Sequence, residues 1–154
     1  MTDIRAQNRA VLDAVRVRRD RLYEAILGLE KALATPAGDH PKEWAMLLAV
    51  PIENLQTVLA THVAGTEGAD GLFAQIREDA PHLLHAVERL RNDHEPLVAS
   101  ATALADALPG VHDDDTVDAV RTQALQLMRQ LLEHRHLGAE VVYDAYAIDV
   151  SAAD

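Results

Sequence analysis

Four stretches of this chain repeat apolar residues at steps of three and four, and in three of them a histidine takes a place in the repeat. Such spacing lays apolar side chains along one side of an α-helix. Helices of that kind must bury their stripes against one another. His62, His94 and His134 are therefore expected in the interior, each on a different helix.

The first helix is expected over residues 3–34, where Leu12, Val15, Leu22, Ile26, Leu29 and Leu33 share a stripe with Arg19, and Tyr23 lies beside it. Two prolines and a glycine in 35–41 end it. The second helix is expected over about 42–61 on Trp44, Leu48, Leu55 and Val58, reaching His62. Pro51 should kink it or start a shorter helix, and GlyThrGluGly at 65–68 should perturb or end it. A short amphipathic piece follows through Leu72, Phe73 and Ile76.

The third helix is expected over 81–108, with Leu83, Val87, Leu90, His94, Leu97 and Leu104 on its seam. The fourth should begin near Asp115 and reach Leu137 or beyond, its start favoured by Asp113–Asp115 against the helix dipole. Val141–Tyr143 also suits a strand, but a lone strand has nothing to pair with, so helix is expected to continue. The fold expected is all-α, an antiparallel up-down four-helix bundle. It forms a single domain over 1–154, with 147–154 as a frayed tail.

Composition narrows the function. Fourteen basic against 25 acidic residues give a net charge of −11, which argues against nucleic acid or an anionic membrane surface as partner. There is no cysteine, so disulfides and thiolate ligands are excluded. No apolar run approaches membrane-spanning length and the N-terminus lacks a signal-peptide core, so a cytoplasmic location is expected.

The seam histidines carry the chemistry. A buried imidazole with unsatisfied nitrogens costs about 1–3 kcal/mol. Three such costs are a large part of the roughly 5–15 kcal/mol stability of a domain. A shared cation would offset them. His62 and His134 are each followed by a glycine and a glutamate, Gly65 and Glu67 in one case, Gly138 and Glu140 in the other. The expected metal set is therefore His62, Glu67, His94, His134 and Glu140. Five- and six-residue spacings turn both glutamates off the histidine face of a regular helix, and a π-type bulge at Gly65 and Gly138 would restore it. His136 and Glu140, four apart, are the alternative pair on a regular helix. Tyr23, His85 and Arg91 are candidates for groups around the ion.

The pattern resembles the hemerythrin-like, or HHE cation-binding, domains. The resemblance rests on HisValAlaGlyThrGlu (62–67), AsnAspHisGluProLeu (92–97) and His134 followed by GlyAlaGlu (138–140). Tyr23 stands where that family has a first-helix histidine, and Arg91 stands near the place of a second histidine on the third helix. The resemblance implies non-haem iron, mononuclear or dinuclear, with manganese or zinc as alternatives. It implies a protein that binds or senses oxygen, peroxide or nitric oxide. Two other readings compete: a metal-free interaction or ligand-binding bundle, in which Arg19 and Arg91 pair with Glu67 and Glu140, and a haem-binding variant. No residue stands out as a dedicated catalytic acid or base, and the sequence leaves the oligomeric state open.

Overall fold

The structure is a computed structural model and describes residues 4–147. Helix α1 spans Ile4–Leu33, α2 Pro41–Glu67, α3 Leu72–Asp79, α4 Leu84–Ala107 and α5 Asp114–Tyr146, with single 3-10 turns at Pro81–Leu83 and Leu108–Gly110. No strand occurs among the described residues. The segment 141–143 is helical, because α5 runs on through Gly138. The frayed tail expected at 147–154 falls, from residue 148 on, outside the described residues.

The four long helices pack together, and cross-contacts fix their directions. Arg19 of α1 donates to the Arg135 carbonyl of α5, while Arg121 of α5 donates to the Leu33 carbonyl. The two helices therefore run in opposite senses. The Trp44 ring of α2 meets Arg121, and His62 meets His134 further along, so α2 and α5 run the same way. Asp93 of α4 meets His134, and Leu90, nearly one turn earlier on α4, approaches Gly138, one turn later on α5, so α4 opposes α5. The result is an up-down-up-down bundle.

Local signals account for the helix ends. Asp113 caps α5: its carboxylate accepts from the Thr116 amide at 2.8 Å, and the Asp113 amide is met by Thr116 Oγ1 at 3.1 Å. Asp114 and Asp115 lie in the first turn, where the dipole favours carboxylates. At the α1–α2 turn Trp44 is buried and its Nε1 donates to the Thr35 carbonyl at 3.0 Å. Helix α2 continues through Pro51 as one element rather than starting anew there.

The apolar interior divides into two clusters. The larger joins α1, α2, α4 and α5 around Leu29, Leu48, Leu55, Leu104 and Leu131. The smaller joins the opposite end around Leu12, Phe73, Ile76, Val87, Leu90 and Val142, and includes α3. The histidine layer lies between Leu97 and Leu131 of the first cluster and Leu90 of the second.

Candidate metal centre

The seam periodicity delivers His62 from α2, His94 from α4 and His134 from α5 to one level. Their ring centroids form a near-regular triangle with sides of 5.0, 5.2 and 5.4 Å. One ligand atom from each of the three lies within 4.8 Å of the other two. His94 and His134 are buried and His62 is partly so. Phe73 of α3 stacks on His94 at 5.6 Å and closes one side.

The hydrogen bonds define which nitrogens face inward. His94 Nδ1 lies 2.9 Å from Glu67 Oε2, and His134 Nδ1 lies 2.9 Å from Asp93 Oδ2. An ionised carboxylate only accepts, so both Nδ1 atoms carry the proton. Both Nε2 atoms of the neutral rings then hold a lone pair. His62 Nε2 lies 3.2 Å from His134 Nε2, so His62 donates there and its Nδ1 holds the lone pair. His62 Nδ1 and His94 Nε2 are sealed from water and have no hydrogen-bond partner. The buried His94 Nε2 lone pair without a partner calls for an explanation, and an unseen ion is one.

Electrostatics favour the neutral form of His62 and His134. Burial, reinforced by His134, His94 and Arg18, pushes the His62 pKa down to about 3. Burial also lowers His134, against the opposing pull of Asp93. The hydrogen bond from His94, aided by the charge of Arg91, holds Glu67 below the usual carboxylate range. Neutral imidazole is the form that binds metal.

The spacing of His62 and His134 fits a cation. Two imidazole nitrogens about 2.0–2.1 Å from one ion, at angles between octahedral and tetrahedral, stand about 2.8–3.4 Å apart. The 3.2 Å between His62 and His134 falls within that interval. The carboxylates supply what metal-bound histidines commonly have, an acceptor on the other ring nitrogen that fixes tautomer and direction.

The remaining sequence candidates are placed as follows. Glu67 sits beside the cluster but is taken up by His94 Nδ1 and by Arg91 Nε at 3.1 Å. Helix α2 is regular through Gly65, so no bulge turns Glu67 back to His62; it reaches across to α4 instead. Glu140 is exposed and pairs with His136 at 3.1 Å on the outside of α5, away from the three rings. His85 is exposed on α4 and outside the cluster. Tyr23 is half-buried beneath the Arg135 guanidinium, 4.6 Å from it, and Arg91 is bound to Glu67 on the surface. Arg19, which the metal-free reading pairs with a carboxylate, donates to the Arg135 carbonyl.

Sequence reasoning passed over Asp93. Its only sequence signal is that it precedes a seam histidine, which turns it toward the neighbouring helix α5. It also passed over Arg18, which lines a cavity of about 50 Å³ together with His62, His134, Leu72, Phe73 and Val142. That volume suits about three or four water-sized molecules, or one molecule of a few heavy atoms, and is far too small for a haem.

No family model, curated protein or solved structure matches this chain. No described helix is long and apolar enough to cross a membrane.

Proposed function

We propose that this chain is a metal-binding bundle of the hemerythrin-like kind. His62, His94 and His134 hold one transition-metal ion, and a small oxidant such as oxygen, peroxide or nitric oxide binds beside it. The supporting observation is that three imidazoles from three helices converge within 4.8 Å, with two Nδ1 atoms tied to carboxylates. Ferrous iron bound there would supply redox chemistry toward the oxidant; manganese and zinc accept the same donors.

A mononuclear centre is the better fit. Bridging a second ion needs a carboxylate oxygen among the imidazoles, and no carboxylate joins the group among the described residues. Glu67 and Asp93 act through the rings they hold. Both lie partly in solvent, with side chains 25% and 45% exposed, so each links a buried ring to bulk water. The cavity beside His62 and His134 gives the oxidant its space, and its exposed wall is mostly apolar.

One observation favours a metal-free reading: His62 and His134 can hydrogen-bond to each other, and Glu67 already pairs with Arg91. That reading leaves His94 Nε2 buried without a partner. Metal analysis and an optical spectrum of protein purified without a histidine tag separate the two. About one equivalent of transition metal is expected. Under about a tenth of an equivalent, with no thermal shift on adding ferrous iron, would overturn the metal reading.

A further inference from the structure

The cavity beside the histidines has an unusual charge pattern for a chain of net charge −11. Its walls include Arg18, Arg19 and Arg135, and no carboxylate lines it. Arg19 and Arg135 are engaged: Arg19 donates to the Arg135 carbonyl at 3.1 Å, and Arg135 lies over Tyr23. Arg18 forms no ion pair among the described residues, although it is half-buried and burial lowers its pKa.

Its position is built into α2. A methyl group on Gly65 would come within 2.8 Å of Arg18 Cδ and 3.1 Å of its Nε and Nη1. Glycine here lets the arginine lie against α2 one turn beyond His62. From there its charge is close enough to oppose protonation of His62.

A cation among His62, His94 and His134 would add positive charge beside this guanidinium. Of the two nearby carboxylates, Glu67 is already shared with Arg91. The rest of the cavity wall is apolar, formed by residues such as Leu22, Phe73, Ile76 and Val142. A ligand suited to that surface has one negative end and a short apolar body.

We infer that the cavity binds a short monocarboxylate, its carboxylate on Arg18 beside the metal and its carbon tail against Phe73 and Ile76. This rests on the metal reading and extends it to regulation. Carboxylate and oxidant occupy the same small space, so the carboxylate controls access to the ion. A planar guanidinium matches a carboxylate in a way a point charge does not. A cavity of about 50 Å³ takes formate or acetate and turns away longer chains.

The test loads the full chain with cobalt(II) and titrates it with formate, acetate, butyrate and acetamide, reading the visible cobalt spectrum and the melting temperature. Formate and acetate should shift the spectrum and raise the melting temperature. Butyrate, too long, and acetamide, uncharged but shaped like acetate, should do neither. Arg18→Gln should keep cobalt and bind acetate at least about tenfold more weakly, the loss of one charge-assisted contact. Gly65→Ala leaves every histidine and Arg18 in the chain but displaces the guanidinium, and should give the same loss if Arg18→Gln does not fold. Cobalt bound with no response to either small carboxylate, an equal response to acetamide, or a full response in the variants would each overturn the inference alone. Failure of cobalt to bind would instead overturn the metal reading, and the inference with it.

Discussion

His62 and His134, 72 residues apart in sequence, bring their Nε2 atoms to 3.2 Å. With Asp93 holding the other nitrogen of His134, the contact requires His62 to donate. Metal binding requires His62 to move that proton to Nδ1 and present its lone pair inward. The metal-free cluster is thus self-satisfied on one edge and open on the other two, where His94 Nε2 has no partner. That asymmetry makes His94 the most informative residue to replace.

His94→Leu should abolish stoichiometric metal binding and change the stability of metal-free protein by no more than about 1 kcal/mol. Removing a buried nitrogen without a partner recovers part of the roughly 1–3 kcal/mol such a group costs. The bond lost is to Glu67, which keeps Arg91. Denaturant unfolding with and without chelator checks both halves. A loss above about 3 kcal/mol in chelator would mean that the ring is a structural post.

Asp93→Asn should weaken metal affinity by about 10- to 100-fold while leaving the fold intact, since outer hydrogen bonds of this kind typically carry that much. An asparagine carbonyl still accepts from His134 Nδ1, but its charge is gone and its amide can turn the wrong way. Glu140→Gln, at a residue that pairs with His136 on the surface, should leave affinity unchanged. Competition against a coloured chelator measures both. Equal effects from the two variants would show that Asp93 acts through net charge and not through the ring.

How much of this could be read from the sequence follows from the range of each signal. Helix seams are periodic and local, so His62, His94 and His134 were legible as inward positions, and they do meet. The Asp113–Asp115 start of α5 was legible because capping acts within one turn. The partners of the ring nitrogens were not legible. Asp93 to His134 and Glu67 to His94 both cross between helices, and helix rotation about its axis, set by packing, decides them. The histidine–glycine–glutamate echo suggested equal roles for Glu67 and Glu140. Glu67 faces α4, whereas Glu140 faces outward and pairs with His136 of its own helix. The short α3 was visible as an amphipathic piece, but its place over His94 through Phe73 depended on a fold-back that no local pattern encodes.

Asp113→Ala should destabilise the bundle by about 1 kcal/mol, since the box with Thr116 satisfies amides at the start of α5 that would otherwise be unpaired. Metal content should not change, because the cap lies about six turns from His134 on the same helix. Thermal melts alongside metal analysis test this. A loss of metal here would mean that α5 is held in register from its start rather than by the histidine layer.

Acid should destabilise the metal-free protein before any carboxylate titrates. His62 is held at about 3 in the fold, whereas an unfolded histidine takes up its proton near 6.5. The unfolded chain therefore binds more protons between those values, and stability must fall as pH drops below about 6.5. Above that pH this residue gives no pH dependence. By pH 5 the loss from one such histidine approaches about 2 kcal/mol, whatever its native pKa, provided it lies well below 5. His134, lowered in the same direction, adds to the slope. Glu67 runs on a different schedule: its depressed pKa gives stability that is lost only as pH falls below the ordinary carboxylate range. The window from pH 6.5 to 5 thus isolates the imidazoles. Urea midpoints across it, in chelator, should decline for the wild type and decline less for His62→Leu. Bound metal should flatten the same interval at its upper end and steepen it lower down, where protons compete with the ion for the rings. A wild-type midpoint constant from pH 7 to 5 would mean that the ring of His62 gains its proton in the folded bundle as readily as in water.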